Sequence, residues 1–208
     1  MRVNPAAGCR SYFQLLSRSL EKLPFQEVDS VADVLVRAYQ DQRTVFLFGN
    51  GGSAALASHF ACDLGKGTVN GSPKRFRVMA LTDNVPLMTA WANDSNFEDI
   101  FAEQLANFAT PGDIAFAISG SGNSRNVLKA LALAKHTGMM TAGLTGFSGG
   151  QMRALCDACI VVPCDNMQII EDLHLCIAHS LFTCVRARIA DSPQPALRPH
   201  LVRRTVGR

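Results

Sequence analysis

Two short segments of this chain combine glycine, serine and asparagine in a way suited to holding an anion: Gly49-Asn50-Gly51-Gly52-Ser53 and Ser119-Gly120-Ser121-Gly122-Asn123-Ser124. Each follows an unbroken apolar run, Val45 to Phe48 and Ile114 to Ile118, and each opens onto a helical pattern. Glycine lets the main chain approach an anion closely, serine hydroxyls add donors, and the free N–H groups at a helix start point toward negative charge. The ligand they imply is phosphorylated. Ionisable residues follow. His59 and Asp63 are four apart in the helical pattern after the first loop, so both side chains emerge on one face. Glu171 and His179 are eight apart, about two turns, in a long C-terminal helical pattern and read as sharing a face. A lone pair of this kind is more simply an exposed polar pair than a site. His174 and Asp172 lie at offsets that turn them from that face, and read as helix-packing or subunit-interface residues.

These groups need a scaffold, and the pattern around them supplies one. Helical periodicity from about Ser11 to Gln40, broken at Leu23-Pro24-Phe25, predicts an arm of two helices. Strand and helix patterns then alternate. Strands are expected at Val45 to Phe48, Arg77 to Leu81, Ile114 to Ile118, Thr141 to Leu144 and Cys159 to Val162. Between and after them come helices over about Ser53 to Leu64, Val85 to Ala92, Glu98 to Phe108, Ser124 to His136, a short one after Gly150, and Met167 to Arg188. Alternation of this kind builds a mainly parallel α/β sheet with helices on both faces through right-handed crossovers. Ligands collect beyond the carboxyl ends of such strands, where both loops fall. A third glycine loop, Gly146 to Gly150, shares that edge and reads as a tight turn.

Composition narrows the class. At 208 residues and 48% hydrophobic content the chain can bury one full core. A net charge of +3, with much of the excess in the tail at Arg198, Arg203, Arg204 and Arg208, argues against a nucleic-acid partner. No apolar stretch approaches the roughly 20 residues of a membrane span and the start carries no signal-like segment, so a soluble cytoplasmic protein is expected. Seven cysteines, an odd number, are expected to be reduced, with Cys62, Cys176 and Cys184 in the core. Cys156 and Cys159 have half a zinc-ribbon spacing but no matching second pair, and read as buried thiols. After Ile189 no apolar period survives, and residues 191–208 are expected to form a disordered Arg-rich tail.

Taken in order, Gly49-Asn50-Gly51-Gly52-Ser53, His59-Phe60-Ala61, Ala92-Asn93-Asp94, Ile118 through Ser124, Leu144-Thr145-Gly146 and Gly149-Gly150 resemble the sugar-isomerase (SIS) fold and, within it, the sedoheptulose 7-phosphate isomerase family. The likeness runs from about Val31 to Ile189. It implies a three-layer αβα sandwich, with residues 1–30 as an N-terminal arm and 31–190 as the sugar-phosphate domain. It also implies a homotetramer with one zinc per subunit. The implied reaction interconverts sedoheptulose 7-phosphate and glycero-manno-heptose 7-phosphate through an enediol. Carried over by motif, Asn50, Gly51, Gly52 and Ser53 correspond to the first substrate loop and Asn93 and Asp94 to a pair contacting the sugar. Ser119, Gly120, Ser121 and Ser124 correspond to the phosphate grip. His59, Asp63, Glu171 and His179 correspond to the zinc set, with Asp63 and Glu171 also touching substrate. Asp63 is the implied base and His179 the implied acid.

Three positions depart from the family pattern. Gly120 stands where Thr is usual, removing a hydroxyl donor with a typical net worth of roughly 1 kcal/mol. Asp63 stands for Glu, shorter by about 1.5 Å, a displacement large enough to matter for proton transfer. Glu171 stands for Gln, which would set two carboxylates against each other and make the site depend more strongly on a divalent ion. The rival readings are an isomerase of another sugar phosphate and a non-catalytic SIS protein acting through protein contacts, like relatives that bind the replication initiator. Those relatives lack the acid and the final histidine, both present here.

Overall fold

The computed structural model describes residues 8–69 and 74–190. Two helices, α1 (Gly8–Leu20) and α2 (Phe25–Gln40), precede the sheet and are parted at Pro24 as expected. Five strands follow: β1 (Val45–Gly49), β2 (Val78–Ala80), β3 (Ile114–Ser119), β4 (Met140–Thr145) and β5 (Ala158–Val161). The intervening helices are α3 (Gly52–Gly67), α4 (Val85–Asp94), α5 (Ala102–Phe108), α6 (Arg125–His136) and the single turn α7 (Met152–Leu155), and α8 (Met167–Ala190) closes the described chain. All sheet pairings are parallel, in the order β2-β1-β3-β4-β5. The strand order reverses around β1 and β3. These adjacent strands carry the two serine-glycine loops, so both loops open at the switch point where α/β sheets bind ligands.

The period of two in the strands separates two cores. Val45, Leu47, Ile114, Phe116 and Ile118 face the layer of α2, α3 and α8, while Phe46, Phe48, Ala115 and Ala117 face α5 and α6. Every residue of β1 and β3 is buried, as their unbroken apolar runs predict. On the first side, α8 contributes a continuous buried stripe of Leu173, Ile177, Leu181 and Val185. That stripe fixes the helix carrying Glu171 and His179 against α3, which carries His59 and Asp63.

Some expectations change. The helix expected over Glu98 to Phe108 divides into a 3₁₀ turn at Phe97–Asp99 and α5. The cause is the buried Asp99 carboxylate, which binds Ser95, Lys129 and the Asn96 amide, the last at 2.7 Å, while Asn96 also accepts the Glu98 N–H. Cys62 and Cys176, expected in the core, are exposed because each lies on the outward side of its helix; Cys184 is half-buried. All seven thiols are free, and burial together with the neighbouring Cys159 pushes the Cys156 thiol up. No helix among the described residues is long and apolar enough to cross a membrane. The tail at 191–208 lies outside the described residues.

Candidate active site

The first loop turns sharply at Gly51, whose φ of +56° is a left-handed conformation suited to glycine. That turn starts α3 directly, and the Gly51 carbonyl accepts the N–H groups of Ala54 and Ala55 at 3.0 and 3.2 Å. Asn50 makes a reciprocal amide pair with Asn126 on α6, at 2.9 and 2.8 Å. Its side chain therefore ties the first loop to the start of α6. In the second loop, the Ser119 hydroxyl accepts the Gly122 N–H at 3.2 Å and lies 3.3 Å from the Ser124 hydroxyl, and Ser121 accepts the Asn123 N–H at 3.3 Å. Ser124 caps α6 without a side-chain bond to the helix, so its hydroxyl is not consumed in capping.

The third glycine loop is more than a turn. Gly146 N–H donates to the Gly120 carbonyl at 2.9 Å, Met152 N–H to the Gly122 carbonyl at 3.0 Å, and Gln151 N–H to the Asn123 side chain at 3.1 Å. It braces the second loop from behind. Gly120 faces α8, where a Cβ would lie 2.5 Å from Met167 Sδ. The space that a larger residue would need at this position is thus filled by a thioether.

His59, Asp63 and His179 converge where α3 meets α8. Nε2 of His59 lies 3.1 Å from Nε2 of His179, and Asp63 Oδ2 lies 3.4 and 3.7 Å from them respectively. The two imidazoles are each 50% exposed and the aspartate 22%. Asp63 Oδ2 is buried without a hydrogen-bond partner, which is costly unless something of positive charge completes it. Two imidazoles and a carboxylate with ligand atoms within 4.8 Å of one another form a donor set that could hold a metal ion.

Glu171 does not join them. Its carboxylate lies over Gly52 at the start of α3, where a Cβ would meet Oε2 at 3.1 Å and Oε1 at 3.2 Å. Eight residues of helix advance about 12 Å and turn about 80° past two full turns, so Glu171 reaches the trio only by a different side-chain orientation from the one seen here. Both ends are nonetheless linked, because a pocket of about 230 Å³ runs between Gly52 and Ser53, His59, and Glu171. Asn93 and Asp94 lie outside it, exposed at the end of α4 with the Asn93 amide donating to Asp94 at 2.7 Å.

Two further residues of α8 enter the picture. Asp172 accepts the Tyr12 hydroxyl, pinning α1 to α8 as a packing residue. Burial and the Asp172 carboxylate push the Tyr12 phenol up to about 12. His174 is buried, as a packing residue would be, yet it also lines the pocket. Asn126 and Met167, which shape the two loops, carry no spacing signal that sequence reasoning could use, since each acts through a residue distant in the chain.

Residues 10–146 match the family model described as SIS domain. A phosphoheptose isomerase of Helicobacter pylori strain Shi470 is 36% identical over 178 residues, covering 86% of this chain and 92% of the relative. One from Bradyrhizobium strain BTAi1 is 37% identical over 159 residues, covering 76% and 80%. Among solved structures, the phosphoheptose isomerase of Francisella tularensis superposes with a TM-score of 0.80 at 29% identity, covering 89% of this chain and all of that one. That of Neisseria gonorrhoeae gives 0.79 at 28%, covering 86% and 96%. With the family match, the sequence identity and the superposition all extending over most of its length, this chain belongs to the SIS-domain family and, within it, to the phosphoheptose isomerases.

Proposed function

We propose that this chain interconverts sedoheptulose 7-phosphate and glycero-manno-heptose 7-phosphate by moving a proton between adjacent carbons of the open-chain sugar. The observation that carries this reading is the convergence of His59, Asp63 and His179 from two helices, beside a pocket that reaches the first loop. The phosphoryl end is assigned to Ser119, Ser121 and Ser124 and the N–H groups at the start of α6, the carbonyl end to the pocket with Gly52, Ser53 and Glu171.

Asp63 takes the proton from the carbon beside the carbonyl and returns it to the former carbonyl carbon. His179 moves a proton between the two oxygens, donating to the carbonyl oxygen as the enediol forms and accepting from the neighbouring hydroxyl as it collapses. The electron pair released at carbon becomes the enediol double bond, and the net reaction is redox-neutral. His59, Asp63 and His179 would hold zinc, with Glu171 as a fourth ligand if its side chain swings from Gly52. When bound, zinc would polarise the sugar oxygens and stabilise enediolate charge.

Assembly into a tetramer is part of the same reading. The half-exposed imidazoles would be shielded from water by a second copy, and Phe13, Phe25 and Phe97, all more than half exposed, support such burial. Seven free thiols support a reducing cytoplasmic setting. Turnover of sedoheptulose 7-phosphate tests the activity, and molar mass by light scattering tests the tetramer. Asp63→Asn and His179→Ala are each expected to lower kcat by about 100-fold or more, while with chelator present their melting temperatures stay near that of chelator-treated wild type. Full activity in either variant refutes its role.

A further inference from the structure

One imidazole inside the pocket has no part in the proton transfers above. His174 is 1% exposed, and neither Nδ1 nor Nε2 has a hydrogen-bond partner of ordinary geometry. Its polar neighbour is the Thr145 carbonyl, which accepts the Val162 N–H at 2.8 Å and, through its second lone pair, favours a proton on one ring nitrogen, leaving the other nitrogen without a partner. Thr145 Oγ1 is also buried without a partner. Polar side chains in protein interiors are nearly always paired, so a buried ring with an unpaired nitrogen stands out. The residue also lines the pocket, together with Gly52, Ser53, His59 and Glu171.

The chemistry of the ring narrows what it can bind. Burial pushes His174 down to about 4, so it is neutral near pH 7 and presents one donor and one acceptor. With its ring N–H toward the Thr145 carbonyl, the other nitrogen accepts, so a phosphate dianion, which has no proton to give, does not match it. A neutral hydroxyl donates to it without bringing a charge against the buried wall. Polyhydroxylated ligands therefore match this wall of the pocket, and the phosphoryl group belongs at the second loop.

We propose that His174 is a substrate-binding residue that pairs with a hydroxyl of the open-chain sugar in the pocket of Gly52, Ser53 and Glu171. The assignment rests on the isomerase reading only for the identity of the sugar. His174 does not exchange protons with the reacting carbons; it holds the chain of hydroxyls so that the carbonyl end meets Asp63 and His179. Pairing with a substrate hydroxyl offsets the cost of burying this ring, a pattern in which a binding site trades stability for function.

The test uses the full chain with His174→Leu and His174→Asn, and His174→Phe as a second apolar variant should leucine prevent folding. Calorimetric titration with sedoheptulose 7-phosphate and, separately, inorganic phosphate reads binding, and thermal melting without ligand reads stability. The apolar variants are expected to bind the sugar phosphate about tenfold more weakly, to bind inorganic phosphate as wild type does, and to melt no lower than wild type. His174→Asn, which keeps a donor and an acceptor, is expected to recover most of the sugar affinity. Unchanged sugar affinity in a folded apolar variant overturns the proposal, as does an equal loss for phosphate. A lower melting temperature with normal sugar affinity overturns it too, marking a purely structural ring or one that holds a fixed water. Wild-type protein that binds the sugar phosphate without converting it defeats the isomerase reading alone, since the comparison of dissociation constants still decides the role of His174.

Discussion

Single atoms in this protein are held in states that a stability optimum would avoid. Asp63 Oδ2 is buried and unpartnered, and one nitrogen of the buried His174 ring shares that condition. For His174 the cost depends on pH with a definite sign. Its folded value near 4 lies below its ordinary 6.5, so between those values the unfolded chain takes up a proton that the folded chain refuses. Stability present above about pH 6.5 is therefore lost as pH falls toward 4. Melting curves from about pH 7 to about pH 5 should show a steeper decline for wild type than for His174→Leu; parallel declines would assign acid sensitivity to the carboxylates instead. Gly120 poses a steric question. Restoring the family's usual residue with Gly120→Thr would drive a Cβ to 2.5 Å from Met167 Sδ. The expected cost is about 1–3 kcal/mol in urea denaturation, with a raised KM, and both should be partly recovered on adding Met167→Ala. The glycine and the methionine are thus a matched pair, and the loss of a hydroxyl donor at 120 cannot be judged from position 120 alone.

At the level of elements, the site depends on how α8 lies against α3. Leu173, Ile177, Leu181 and Val185 are each about fully buried, and they alternate along α8 with the residues facing the pocket and the metal-capable trio. Leu181→Ala should cost about 2–5 kcal/mol of unfolding free energy by removing core contacts two residues from His179. It should also reduce kcat at temperatures where the variant is still folded, because an error of about 1 Å between α3 and α8 moves the imidazole relative to Asp63. Normal kcat alongside the full stability loss would show that His179 is positioned by something other than this stripe. The helical periodicity of α8 and the i, i+4 spacing of His59 and Asp63 were legible in sequence, since both are consequences of local geometry. The place of Glu171 was not. Two turns of helix separate it from His179 by about 12 Å, and only the α3 start, where its carboxylate lies, shows what it contacts.

For the whole molecule, a metal bound by folded but not unfolded protein shifts the folding equilibrium by mass action. Zinc added to chelator-treated protein is expected to raise the melting temperature. His59→Ala should abolish the shift, because it removes one of three donors that already converge, whereas Glu171→Gln should retain most of it. Glu171→Ala, which removes every donor at that position, should retain the shift as well; a loss equal to that of His59→Ala would mean that Glu171 leaves Gly52 and completes the metal site. Activity should fall on chelation and return with zinc, with little change in far-ultraviolet circular dichroism. The parallel sheet explains this robustness, since its two apolar cores lie on either side of β1 and β3 and do not pass through the trio.

The amino-acid sequence by itself determined the alternation of strands and helices, the two loops at the strand ends and the identity of the ionisable residues. These are set by local rules: buried strands must be apolar throughout, glycine must stand at the left-handed Gly51 turn, and helix faces repeat every three to four residues. Only the tertiary structure decided that Asn50 pairs with Asn126, that Met167 fills the space beside Gly120, that Glu171 caps the first loop while His59, Asp63 and His179 meet, and that His174 lines the pocket. Each of those contacts joins residues distant in the chain, and their distances follow from how α3, α6 and α8 settle on the sheet, which no spacing along a single element encodes.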